Sequence, residues 1–178
     1  MTRLSVYIAT SVDGFVAGPN DELEWLASVE SPDEDYGYRA FMNTVDVLVT
    51  GRRTYEVVLK FPKWYYEGTR VIVLSKSLQP SDMRHGAEVF GGSPTEVVAK
   101  LRAEGVKRAY VDGAAVIRSF LEAGLIDDLT LSTIPIVLGR GIRLFGDDLP
   151  ERKLVLEESK SFPKGLVQSR YRVASPTA

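Results

Sequence analysis

A chain of 178 residues, 44% hydrophobic and 26% charged, is long enough for one compact α/β core and short for two, which predicts a single domain over 1–178. Its 22 basic residues are scattered among 24 acidic ones for a net charge of -2, which excludes the overall positive field that non-specific nucleic-acid binding needs. No cysteine and a single histidine, His85, exclude disulfides, thiolate zinc sites, a zinc-deaminase centre and most Cys-His or Ser-His catalysis. No apolar run approaches the roughly 20 residues that span a bilayer, and MTRLSVYIAT lacks the layout of a signal peptide, so no membrane contact and a cytoplasmic location are expected.

From Arg3 to Ala9 the chain places Leu4, Val6 and Ile8 on one face, the pattern of a strand. TSVDGFVAGPND follows with Gly14, Gly18, Pro19 and Asn20, which predicts a long irregular loop suited to ligand contact. A short helix is expected over about Asp33 to Asn43, with Ser31 and Asp33 as caps and Pro32 near its start. Val45 to Thr50 reads as an apolar strand. Gly51 then opens a helix near Arg52 whose Tyr55, Val58 and Leu59 share a face. Val71 to Leu74 and, more weakly, Ala87 to Phe90 read as strands. Ser93-Pro94-Thr95-Glu96 is a capping box that starts a helix from Pro94 to Glu104, stopped by Gly105.

Arg108 to Val111 predicts a strand, Asp112 to Ala115 a small-residue turn, and Val116 to Ala123 a helix ended by Gly124. Leu129 to Leu138, Lys153 to Ser159 and Leu166 to Val173 follow as strands with no helices between them. The order implies an α/β fold: three-layer α/β/α, a doubly wound, mostly parallel sheet with antiparallel C-terminal strands. The tail Ser175-Pro176-Thr177-Ala178 is expected to fray.

Ligands of such sheets gather at the carboxyl ends of strands, and phosphates favour helix N-termini. Gly51-Arg52-Arg53-Thr54 and Asp112-Gly113-Ala114-Ala115 meet that description. The first reads either as a dinucleotide phosphate site, with paired arginines for a 2′-phosphate, or as a glycine turn before exposed arginines. The second reads either as a pyrophosphate site or as tight helix-on-sheet packing. Asp13 either positions a ligand or serves its own turn. Asp33, Glu34 and Asp35 either include a proton donor or complement a helix dipole. Trp25, Trp64, Tyr65 and Tyr66 either stack on a planar ligand or cover the core, and His85 is assigned to solvent.

SVDGFVAG after the first strand, then VDVLVTGRRTYE, VIVLS and YVDGAAVIRSFLEAGLIDDLTLSTIPIVLGRGIRLF, in that order, closely resemble the dihydrofolate reductase superfamily. The likeness is nearest to stand-alone relatives of the reductase domain of the bifunctional riboflavin-biosynthesis deaminase-reductase, and it runs from about Leu4 to Val173. It implies an NADPH-dependent oxidoreductase acting on a small heterocyclic substrate such as 5-amino-6-ribosylaminouracil 5′-phosphate, in a homodimer. Dihydrofolate or pterin reduction, or NADP(H) binding without catalysis, are its alternatives.

By the same resemblance, Ala9 borders the nicotinamide, and the loop with Asp13, Gly14, Ala17 and Gly18 covers it. Gly51, Arg52, Arg53 and Thr54 hold the phosphates, and Leu74, Ser75 and Lys76 flank the adenosine. Asp112, Gly113, Ala114, Ala115 and Val116 line the pyrophosphate and nicotinamide. Asp112 stands where the riboflavin-pathway reductases carry a glutamate facing substrate, and Asp35 is nearest by spacing to the pterin reductases' carboxylate. Ala114 replaces a second glycine, and no basic residues match those that hold a ribose phosphate.

Overall fold

The computed structural model describes residues 1–174; the C-terminal tail expected to fray lies outside the described residues. Ten strands form: β1 Arg3–Ser11, β2 Phe15–Ala17, β3 Val47–Gly51, β4 Arg70–Leu74, β5 Glu88–Phe90, β6 Arg108–Val111, β7 Asp128–Ile134, β8 Ile142–Arg143, β9 Leu154–Ser161 and β10 Val167–Val173. The helices are α1 Tyr38–Met42, α2 Arg52–Val58, α3 Pro94–Ala103 and α4 Ala114–Glu122. Eight strands make one sheet in the order β5-β4-β3-β6-β1-β7-β10-β9, and β2 pairs separately with β8. The antiparallel finish is confined to β10, which runs against both β7 and β9.

Alternation along the strands builds the three layers. Val47, Val49 and Ile72 point to one face and pack with Val97, Val98 and Leu101 of α3 and Ile117, Phe120 and Leu121 of α4. Leu48, Val71 and Val73 point to the other face, against Tyr55 and Val58 of α2 and the partly buried Phe41 and Met42 of α1. Both faces of the parallel strands are therefore covered, as their near-continuous apolar runs require.

Two expectations need correction. The helix expected over about Asp33 to Asn43 shrinks to α1, because Ser31 bridges to Glu34 and Tyr36 and Gly37 both take positive φ (58° and 84°). Ser31 and Asp33 cap nothing; the Asp35 carboxylate instead accepts from the N–H groups of Gly37 (3.0 Å) and Arg39 (3.1 Å). The loop after β1 is not irregular throughout: β2 pairs with β8, and Leu144 N–H donates to the Gly14 carbonyl at 2.9 Å. The capping box of Ser93 and Glu96 forms as read.

Candidate active site

The carboxyl ends of β1, β3, β4, β6 and β7 open on one edge of the sheet, as parallel strands must. There Ala9, Gly51, Leu74, Asp112 and Ile134 line a cleft of about 970 Å³. That is the upper end of the range for small-molecule and cofactor sites.

One half of the cleft is built by α2, the exit of β4 and α4. Arg52, Arg53, Thr54, Ser75, Lys76 and Arg118 line it, together with Gly113, Ala114, Ala115 and Val116. Gly51 adopts extended backbone (φ -100°), so its lack of a side chain answers a packing demand: a Cβ there would lie 2.9 Å from Val116 Cγ2. Gly113 has φ 89°, and a Cβ would meet Thr54 Oγ1 at 2.4 Å. Ala114 is the first residue of α4, so a methyl group is carried without strain where the resemblance leads one to expect glycine. The first-turn N–H groups of α4 have no acceptor within the helix.

The arginine forks already hold partners. Arg52 Nε lies 2.6 Å from Glu56 Oε1, and Arg53 Nε 2.6 Å from Asp21 Oδ1. Lys76 makes no ion pair among the described residues. Thr50, fully buried at the end of β3, has a hydroxyl without a hydrogen-bond partner among the described residues, 3.7 Å from where a Cβ of Gly113 would stand.

The other half is aromatic. Tyr7 packs edge-on to Tyr38 (5.7 Å between centroids), Tyr38 against Tyr65 (5.8 Å) and Tyr65 edge-on to Tyr66 (5.6 Å). Leu26, Val29, Ile134 and Leu166 complete the wall. Gln168 anchors Tyr7, its Nε2 lying within hydrogen-bond distance of Tyr7 Oη (2.8 Å), the Tyr36 carbonyl (3.0 Å) and Ser132 Oγ (3.0 Å).

Asp112 stands between the halves. It follows β6 directly, and Tyr66 donates to its Oδ2 at 3.0 Å. Burial pushes the carboxyl above the ordinary aspartate range, against the lowering effect of hydrogen bonds from Tyr66 and the Gly113 N–H. Tyr38, Tyr65 and Tyr66 are themselves raised, first by burial and then by neighbouring charge, so their hydroxyls remain neutral donors.

Asp35 lies on the rim with its pKa lowered by the Gly37 and Arg39 backbone N–H groups, so it stays ionised as the cap of α1 and is unsuited to give up a proton. Asp13, Gly14 and Gly18 do not line the cleft, whereas Ala17 does. The Asp13 carboxylate accepts from Ser11 Oγ (2.6 Å) and from the N–H groups of Leu138 (3.1 Å) and Gly139 (2.7 Å), which hold it down to about 2. It ties the loop after β1 to the segment entering β8. Trp25 and Trp64 are absent from the lining, Trp64 stacking instead on His85 at 4.6 Å; His85 remains exposed, as expected.

Tyr7, Tyr38 and Tyr110 were not singled out from sequence. Alternation along β1 marked only the opposite, Leu4-Val6-Ile8 face, and Tyr38 is the first residue of a helix that the sequence extends five residues too early.

A doubly wound sheet whose reversed strand is β10, with a two-part cleft at the strand ends, defines a protein of the dihydrofolate reductase-like fold. Dihydrofolate reductase from Enterococcus faecalis, complexed with NADP(H), superposes with a TM-score of 0.68 at 19% identity over 97% of each chain, a likeness of fold alone. The chain belongs to the RibD C-terminal domain family, whose model matches residues 3–168. A putative riboflavin biosynthesis protein from Shewanella sp. PV-4 is 34% identical, with a TM-score of 0.91 over 97% of this chain and 99% of its own. The uncharacterised protein YwjB of Bacillus subtilis (strain 168) is 33% identical over 174 residues, 96% of this chain and 98% of its own.

Proposed function

We propose that the chain is a cytoplasmic, NADPH-dependent reductase that delivers a hydride to a planar heterocycle of the aminouracil or pterin kind. The observation that carries this reading is the position of Asp112, a carboxyl held toward its protonated form at the junction of a cation-flanked half-cleft and an aromatic one. The family and the NADP(H)-bound neighbour of the same fold support it.

The residues present fit the cofactor. The unbridged Lys76 and the open first turn of α4 fall in the same half of the cleft, where a dinucleotide offers phosphates and hydroxyls, and the orphaned hydroxyl of Thr50 is buried behind that half. When bound, NADPH supplies the hydride. Reduction of a C=N bond also needs a proton on nitrogen. With Tyr66 donating to Oδ2, a proton carried by Asp112 would sit on Oδ1, from which it would pass to the substrate nitrogen as carbon accepts the hydride. The aromatic wall orients the ring and excludes water. Arg52 and Arg53 would hold the 2′-phosphate, giving up Glu56 and Asp21 for it.

Titration of the purified protein with NADPH and NADH, followed by nicotinamide fluorescence, tests the reading. NADPH is expected to bind more tightly, and Arg52→Ala and Arg53→Ala each to weaken it about tenfold, the loss of one charge-assisted hydrogen bond. Binding of neither nucleotide, or unchanged affinity in both variants, rejects the cofactor assignment. NADPH binding without turnover on aminouracils, pterins or quinonoid compounds would instead favour a binding module.

We also propose that the chain pairs with a second copy through β9. That edge strand exposes Leu154, Val155 and Leu156 beside an unpaired row of backbone groups, and an antiparallel edge is self-complementary about a two-fold axis.

A further inference from the structure

The cations of the cleft are segregated, and the one carboxylate lining their half, Asp21, is paired with Arg53. The four lining cations, Arg52, Arg53, Lys76 and Arg118, all belong to the half built by α2, the β4 exit and α4. In the aromatic half the lining charges are the acidic Glu30 and Asp35 at the rim, while the Asp112 carboxyl at the floor is held toward its neutral form. Lys164 and Arg39 adjoin that rim, Lys164 donating to the Glu30 carbonyl and Arg39 lying near Asp35, but neither lines the cleft. The remaining polar groups there are tyrosine hydroxyls, Ser132 and backbone.

A phosphate entering this half would leave water without a lining cation to meet it and would face carboxylates, an arrangement that costs more than it returns. A flat uncharged ring meets the opposite conditions, with tyrosine faces to stack on and neutral hydroxyls to donate to its heteroatoms. From this segregation we propose that the substrate is a planar heterocycle carrying no phosphate, and that the site discriminates against the 5′-phosphorylated form of a ribosyl or ribityl compound. The inference rests on the reductase reading above and narrows it: a phosphate-free heterocycle is the substrate class, in place of the phosphorylated aminouracil that the resemblance implies.

The test uses a pair of ligands that differ only in the phosphate. Riboflavin and riboflavin 5′-phosphate are titrated into the full chain saturated with NADP+, and flavin fluorescence is followed at low and high salt. Riboflavin is expected to bind at least about tenfold more tightly, with the gap narrowing as salt screens the rim carboxylates. Glu30→Lys is expected to strengthen binding of the phosphate ester selectively. Equal affinities, or tighter binding of the ester, overturn the inference, as does failure of both flavins to bind a chain that still binds NADP+. Failure of NADP+ itself to bind rejects the reductase reading instead, so the two failures are told apart.

Discussion

At the scale of single residues, Asp35 and Asp112 show how one side chain acquires opposite properties from its surroundings. Two backbone N–H groups stabilise the Asp35 charge, while burial beneath the tyrosines disfavours that of Asp112. Asp112→Asn keeps the acceptor for Tyr66 and removes the proton. It is expected to lower the reduction rate by roughly 10²–10⁴-fold with far less effect on NADPH affinity. The wild-type rate should fall as pH rises through the raised Asp112 pKa, and this limb should be missing from the variant; a rate within twofold of wild type would sink the assignment. Stability follows the same group. Its folded pKa lies above its unfolded one, so the wild type loses stability as pH rises from about 4 toward the folded value. Thermal melts should therefore show Asp112→Asn gaining on the wild type across that window, and no gain would contradict a buried, raised carboxyl.

At the scale of elements, the strands and glycines were the most legible features. Arg108–Val111 was read from sequence with its observed bounds, and the Ser93 capping box with its observed partners, because both are local patterns. The short β2–β8 pair was missed since its partners are more than 120 residues apart and β8 has only two residues. The helix after Ser31 was overextended because acidic residues before an aromatic run look like a first turn, while left-handed Tyr36 is invisible to composition. The candidate site was legible where glycine precedes a helix and illegible where tyrosines converge from separate elements. Gly113 bears on both packing and site, having a backbone conformation that L side chains rarely adopt and Thr54 where a Cβ would go. Gly113→Ala should destabilise by about 1–3 kcal/mol, a fall in Tm of roughly 2–12 °C. An unchanged melting curve would show that this turn is not fixed as described.

At the scale of the whole molecule, the sheet has two edges, β5 and β9, and they differ. β5 is short, while all eight residues of β9 are exposed, Leu156 by 55%. A pairing of copies through β9 predicts a dimer in light scattering and a shift to monomer in Leu156→Lys; a monomer at high concentration for the wild type removes the proposal. Among the described residues no helix is long and apolar enough to cross a membrane.

The register of β1 also governs the order in which the molecule can come together. Arg3 pairs with Arg108 and Ser5 with Asp128, so the central strand meets neither neighbour until more than a hundred further residues exist. At about 5–20 residues per second on the ribosome, that interval is roughly 5–20 s. Throughout it Leu4 and Val6, destined for complete burial, have no sheet to join. The apolar face of β1 can therefore be covered by its sheet neighbours only once β6 has emerged.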